Sequence, residues 1–236
     1  MIMEMLNNIL FAENARLVSI ITSPLIFVEV YLSFCLFTSL LNIEYSKKQA
    51  FLYVFSSSVC SIITSFFVPN QFNVIFNYVF IFTIICLIFK QNILKSIAML
   101  VFPVFIFALT NLLIVKLYMK VLDITYAQVS SVLIYRLFYL IIVYFVVFHI
   151  VIILKRKNTK VTILDTFDKT AKLMLIMNFV CGMLAISIQS ILIAYYINIA
   201  PTYISFLSFA VLIFYFIINL YSLSRITQLT VTTRDL

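Results

Sequence analysis

The chain has 236 residues, of which 65% are hydrophobic and 10% are charged. A soluble domain needs about a quarter charged residues to cover its surface, so this composition excludes a soluble globular protein. The net charge of +8 comes from basic residues that are scattered over several connections without an aromatic stacking face, a pattern that does not indicate nucleic acid as a partner.

Long apolar runs predict an all-α fold, a polytopic integral membrane helix bundle with about seven transmembrane helices; six is the alternative count. At ~1.5 Å per residue, about 20 apolar residues cross a hydrocarbon core of roughly 30 Å as a helix. The third run is the shortest, and a helix of that length must stand nearly upright in the bilayer. The predicted spans are residues 17–41, 49–68, 74–89, 96–119, 130–154, 173–197 and 203–224.

The basic residues sort to one side of the membrane when the predicted spans alternate in direction. Four of the sixteen, Arg16, Lys116, Lys120 and Arg136, fall on the other side. By the positive-inside rule, the N-terminus is predicted to lie outside and the C-terminus in the cytoplasm of a bacterial plasma membrane. The twelve residues on the cytoplasmic side are Lys47, Lys48, Lys90, Lys95, Lys155, Arg156, Lys157, Lys160, Lys169, Lys172, Arg225 and Arg234.

Three parts of the chain are distinguished by composition. Residues 1–16 are predicted to be an outer interfacial segment, residues 17–224 the seven-span domain, and residues 225–236 the start of a cytoplasmic helix. The last part is polar and basic and has no Pro or Gly to stop a helix. Its Ile226, Leu229, Thr233 and Leu236 follow the a and d spacing of a coiled-coil seam, which predicts a homodimer.

Several residues inside the spans have predicted structural roles. Pro24 and Pro103 each remove a backbone hydrogen bond and are expected to kink spans one and four. With Gly182 as the single glycine, close helix crossings must use Ser, Ala and Thr. Residues 69–73 are predicted to be a tight turn, and residues 120–129 the one outer loop with room for a ligand.

Two charged residues, besides Lys116 at the end of span four, lie inside the predicted spans, where an unpaired charge costs about 2.5–3.5 kcal/mol near mid-helix. Glu29 lies near the middle of span one, and Arg136 lies about two turns below the outer end of span five. One interpretation is a buried ion pair between them. The other is a protonated Glu29 and an Arg136 that extends to the headgroups. Asn111 adds a polar group at similar depth.

No enzymatic site, metal site or cofactor is predicted. His149 is the single histidine, and the four cysteines lie in separate apolar runs without a C-x-x-C spacing. The sequence has no G-x-x-x-x-G-K, G-x-G-x-x-G, H-E-x-x-H or G-x-S-x-G motif.

The exit from the last span, YSLSRITQLTVTTRDL at residues 221–236, resembles the linker of AgrC-type quorum-sensing receptor histidine kinases of Gram-positive bacteria. Close resemblance covers these sixteen residues, and the other 220 resemble the family in architecture only. The resemblance implies a membrane sensor domain that passes a signal to a dimerising helical domain and a GHKL-class ATPase. Since residues 1–236 contain neither, this chain is not itself predicted to be an enzyme, and a kinase module in cis is its expected partner.

The same resemblance implies an extracellular ligand, a short hydrophobic peptide that binds among the outer ends of the spans. A signal exit helix would carry Arg225, Ile226, Leu229, Thr233 and Leu236. The ligand-binding residues that the resemblance implies are Lys116, Tyr118, Asp123, Tyr126, Gln128, Arg136, Tyr195, Tyr196, Tyr203 and Phe206.

Two alternatives to a receptor remain open at this point. A small-molecule transporter or transporter subunit would use Glu29 and Arg136 as an intramembrane site. A non-catalytic membrane scaffold, in contact only with the lipid bilayer and other proteins, would use neither.

The charge asymmetry predicts the topology directly. Reporter fusions at Asn158 should be cytoplasmic, and fusions at Asp123 should be external, because the basic connections stay inside. Alkaline phosphatase and green fluorescent protein fusions at both positions measure this. An external Asn158 would reverse the orientation.

Overall fold

The computed structural model describes residues 10–11, 13–41 and 43–157. Within these ranges the chain is helical without strands, and five helical segments are long and apolar enough to cross a membrane; the first of them, Ala15–Leu41, includes a 3₁₀ turn. An all-helical bundle is therefore confirmed for this part of the chain, while the count of seven and the orientation stay predictions. The predicted spans at 173–197 and 203–224 lie outside the described residues, as do the exit helix and most of residues 1–16.

The helices alternate in direction because short connections join them. The helices are α1 (Ala15–Thr22), α2 (Ile26–Leu41), α3 (Lys47–Phe67), α4 (Asn70–Phe89), α5 (Ile93–Leu122), α6 (Tyr126–Ser131) and α7 (Leu133–Lys157). We call the end of the bundle at which α2, α4 and α7 end and α3 and α5 begin the basic end. The other end is called the opposite end. The basic end carries Lys47, Lys48, Lys90, Lys95, Lys155, Arg156 and Lys157.

Polar side chains fix where several helices begin. Ser46 and Gln49 form a capping box at α3, in which each side chain bonds the other residue's backbone N–H. Thr125 and Gln128 do the same at α6. Gln49 also reaches across to α4, where its Nε2 donates to the carbonyl of Ile88 at 3.0 Å. These bonds satisfy backbone donors that a helix start leaves free.

Two helices end on residues in the left-handed conformation. Lys90, with φ of 49°, follows α4, and Asp123, with φ of 52°, follows α5. Glycine is the usual residue at such a position because it has no Cβ. This chain has a single glycine, at position 182, so other residues adopt the conformation here.

The structure corrects two sequence predictions at the opposite end. Helix α4 begins at Asn70, directly after Pro69, so the predicted turn at 69–73 is wrong and the third helix is 20 residues long instead of sixteen. The predicted ligand-binding loop at 120–129 is also mostly helical, because α5 continues to Leu122 and α6 begins at Tyr126. Only residues 123–125 connect them.

The two prolines inside the first and fourth spans behave differently. At Pro24 the 3₁₀ helix Ser23–Leu25 separates α1 from α2 in the first span, while the backbone of Thr22, Ser23 and Ile26 stays in the right-handed helical region; the predicted kink stays a prediction. Pro103 lies inside α5, which runs without interruption from Ile93 to Leu122.

Helix α2 lies at the centre of the bundle and packs against α3, α5 and α7. Helix α4 covers the outside of α3 and α5. Small hydroxyl side chains on α3 allow close approach, since Ser57, Ser58, Ser61 and Thr64 are all buried. The Ser61 hydroxyl donates to Asn77 Oδ1 on α4 at 2.8 Å. The expected use of Ser and Thr at helix crossings is thus confirmed.

An aromatic cluster forms the core near the basic end. Phe37 is completely buried, and its ring centre lies 5.4 Å from Phe34, 5.4 Å from Tyr53 and 5.6 Å from Phe89, all edge to face. Such arrangements align the positive ring edge with the negative ring face. This cluster joins α2, α3 and α4.

Removal of the central ring should destabilise the bundle. We expect Phe37→Ala to lower the free energy of unfolding by about 3 kcal/mol, because neighbouring helices close only part of the cavity. Steric-trap or denaturant unfolding in mixed micelles measures this. Phe51→Ala is the matched control, since Phe51 lies on α3 and is 67% exposed toward the surroundings of the bundle; an equal loss in the control would contradict the assignment of this core.

Candidate functional site

A group of polar side chains meets among α2, α4, α5 and α7. We call it the polar cluster. Glu29 of α2, Asn111 of α5 and Arg136 of α7 were singled out by sequence, whereas the participation of three tyrosines was not predicted. The members are Glu29, Tyr78, Asn111, Arg136, Tyr139 and Tyr144.

Glu29 lies in the first turn of α2, directly after the break at Pro24. Its side chain is half-buried, and Oε2 accepts a hydrogen bond from the Tyr144 hydroxyl at 3.5 Å. Arg136 of α7 also acts on this carboxyl group electrostatically, and Glu29 in turn acts on the hydroxyl of Tyr78 of α4. Glu29 is therefore surrounded from two neighbouring helices.

Arg136 lies in the first turn of α7, and its backbone N–H donates to the carbonyl of Val132 at 3.1 Å. Its guanidinium carbon lies 5.8 Å from the ring centre of Tyr139. A cation over an aromatic face within about 6 Å is attracted by the ring quadrupole. The half-buried guanidinium thus has a favourable partner inside the bundle.

Arg136 and the hydrogen-bond partner of Glu29 lie at different depths along α7. Arg136 and Tyr144, the hydrogen-bond partner of Glu29, are separated by about 12 Å of helix at ~1.5 Å per residue. Tyr139 lies between them. Arg136 and Glu29 thus contact neighbouring tyrosines of α7, Tyr139 and Tyr144 respectively; a direct ion pair stays a prediction.

Hydrogen bonds join α5 to α7 beside the charges. The Tyr139 hydroxyl donates to Asn111 Oδ1 at 2.8 Å. Nearer the opposite end, the Tyr118 hydroxyl donates to the carbonyl of Tyr135 at 3.0 Å. Such interhelical bonds contribute about 0.6 kcal/mol each on average in membrane proteins. They hold the two helices at a defined spacing around the cluster.

The predicted ligand-binding residues fall into three groups. Tyr118 adjoins the cluster, since its ring centre lies 6.1 Å from that of Tyr139, and Tyr126 is the first residue of α6. Lys116 and Asp123 are exposed at the same end of the bundle, and Gln128 is engaged in the α6 capping box. The residues that lie outside the described part of the chain are Tyr195, Tyr196, Tyr203 and Phe206, together with the exit residues Arg225, Ile226, Leu229, Thr233 and Leu236.

The chemistry of the cluster is that of recognition by charge and hydrogen bonding. It offers one carboxyl group, one guanidinium, one amide and several phenolic hydroxyls. In residues 10–157 as far as they are described, no three His, Cys, Asp or Glu side chains lie close enough together to hold a metal ion. His149 lies outside the cluster, near the basic end, and its Nδ1 lies 2.8 Å from the carbonyl of Phe145.

Comparisons with known proteins give no relative for this arrangement. No protein-family model, curated protein or solved structure matches the chain. The function of the cluster is therefore argued from its geometry and from the sequence.

The electrostatic coupling of the two charges is measurable. We expect Glu29→Gln and Arg136→Gln each to lower the free energy of unfolding, and the double variant to lose less than their sum by about 0.5–1 kcal/mol. The physical reason is that each single change leaves the other charge uncompensated inside the bundle.

Unfolding of the four proteins in detergent micelles gives this coupling energy. The control cycle pairs Glu29→Gln with Arg156→Gln, since Arg156 is exposed at the basic end. Strict additivity in the first cycle would mean that the two charges do not interact.

Proposed function

We propose that this chain is the membrane-embedded sensor domain of a receptor that binds an apolar extracellular peptide and passes the signal to a cytoplasmic histidine kinase module. The observation that carries the proposal is the polar cluster. It places an acid, a guanidinium and hydroxyl groups in the interior of a bundle whose outer surface is apolar. Ionisable groups inside a membrane protein are rare and mark functional sites.

The side chains of the cluster suit a peptide as ligand. Arg136 can donate paired hydrogen bonds to a carboxylate or to backbone carbonyls of the peptide. The partly exposed rings of Tyr118 and Tyr126 offer apolar faces for its side chains and hydroxyl oxygens for its amides. These groups lie toward the opposite end, which the positive-inside rule assigns to the exterior.

Transmission of the signal is proposed from the sequence. The segment 225–236 continues the last predicted span without Pro or Gly, so a movement of that span would reach the predicted seam at Ile226 and Leu229 directly. A hundredfold bias of a two-state element needs only about 2.7 kcal/mol of differential binding. Binding of a peptide at the outer ends of the spans is sufficient for that.

One observation favours a second candidate, a transporter. The first span breaks at Ser23–Leu25, one turn before the half-buried Glu29. Interrupted helices beside an intramembrane ionisable residue are typical of substrate and ion sites in secondary transporters. In that case Glu29 would carry a proton or bind a cationic substrate.

A fused kinase tests the receptor. The full chain is joined after Leu236 to a histidine kinase module and reconstituted in liposomes, and autophosphorylation is measured against a panel of synthetic cyclic and linear apolar peptides. We expect an active peptide to change autophosphorylation, and Arg136→Ala to weaken its potency about tenfold, equivalent to about 1.4 kcal/mol. Lys120→Ala is the matched control, because Lys120 is an exposed basic residue at the same end.

Two outcomes decide against the receptor. One is autophosphorylation that responds to no peptide. The other is solute uptake into liposomes that is driven by a proton gradient and abolished by Glu29→Gln, which would establish the transporter instead.

A further inference from the structure

We propose that α1 is a gate to the polar cluster, hinged at the 3₁₀ helix Ser23–Leu25 and latched to the junction of α6 and α7 by the backbone bridge between Glu13 and Val132. The inference concerns how a ligand reaches the cluster. It rests on the proposed function in one respect, that the polar cluster is the binding site.

The hinge lacks one helical hydrogen bond, the one that Pro24 cannot donate. Pro24 has no N–H and so leaves the carbonyl of Ile20 without its usual helical donor. The Ser23 hydroxyl donates to this carbonyl at 2.8 Å. The Thr22 hydroxyl likewise donates to the carbonyl of Val18 at 2.8 Å. The Thr22 bond lies within α1, and the Ser23 bond joins the first residue of the hinge to α1. A rotation of α1 about the backbone that follows Ser23 therefore leaves both bonds intact.

The latch is small. The backbone N–H of Asn14 donates to the carbonyl of Ser131 at 2.9 Å, and Glu13 and Val132 form an isolated antiparallel bridge that no ladder extends. An isolated backbone pairing of this size is a weak restraint in comparison with a sheet. It holds α1 at its N-terminal end, while the hinge lies at its C-terminal end.

The gate adjoins the cluster at both of its ends. Helix α1 packs against α6 and α7, and Val18, Val129 and Val132 are buried there. Arg136 lies one helical turn after the latch residue Val132. Glu29 begins one turn after the hinge. Movement of α1 away from α6 and α7 therefore uncovers the start of α7, one turn before Arg136.

A reporter thiol measures whether the gate opens. Val115 lies on the same face of α5 as Asn111 and Tyr118, the residues that bond to α7, and it packs against the core. The protein is placed in lipid nanodiscs, which expose both membrane faces, and carries Val115→Cys. A negatively charged methanethiosulfonate reagent is added, and modification at position 115 is followed by peptide mass spectrometry. The native cysteines replaced by alanine are Cys35, Cys60, Cys86 and Cys181.

A disulfide closes the gate. Residues paired in an antiparallel bridge have Cα atoms about 4.5–5.5 Å apart, which fits a disulfide. With Glu13→Cys and Val132→Cys oxidised, we expect modification at position 115 to slow at least ~10-fold, because access then requires an opening that the crosslink prevents. Reduction followed by removal of the reductant should restore the rate. Ala127→Cys on the exposed surface of α6 is the matched control, and its rate should not change.

A second variant tests the hinge without a crosslink. In Pro24→Ala the missing N–H returns, and α1 and α2 can form one continuous helix; we expect modification at position 115 to slow at least ~3-fold. The gate is overturned if the oxidised and reduced proteins react at equal rates, or if position 115 fails to react in the unlocked protein. These rates are measured without any peptide, so failure of the gate and failure of the receptor proposal are separate results.

Discussion

Hydrocarbon offers no hydrogen bonds, and this constraint decides where the first span can be interrupted. A spanning segment must satisfy its own backbone groups. The long helices do so, and at Pro24 the neighbouring Ser23 hydroxyl occupies the carbonyl that the proline leaves free. The interruption is thus confined to three residues, and α2 resumes at Ile26 as the central helix. The position of Glu29 at the start of α2 depends on this local repair.

Packing and interhelical hydrogen bonds hold the bundle together, since lipid chains are as apolar as the side chains that face them. Ser61 with Asn77, and Tyr139 with Asn111, show the same arrangement at two seams: a hydroxyl on one helix meets an amide on the next. Around Glu29 and Arg136 the tyrosines take the place of water as hydrogen-bond and cation–π partners. A charge in the membrane interior is tolerated where such groups surround it.

Much of the helical architecture was predictable because it is encoded locally. Apolar length gave the five described spans, and Pro24 marked the break. Helix α6 was missed although Thr125 and Gln128 have the spacing of a capping box. The cluster was predicted in its two charges and in Asn111 but not in its tyrosines, since a tyrosine such as Tyr144 is indistinguishable in sequence from an interfacial one. Its partner Glu29 lies 115 positions away.

The bridge between Glu13 and Val132 also sets the level of the bilayer. Among the described residues no ladder extends this bridge, and open backbone edges do not occur against lipid tails, so we expect the bridge at the headgroups. Arg136, about 6 Å deeper along α7, then lies at the boundary with the tails, within reach of phosphates. Glu29 lies well inside the tails. A thicker or thinner bilayer would therefore change the surroundings of Arg136 before those of Glu29, which makes lipid composition a variable for this site.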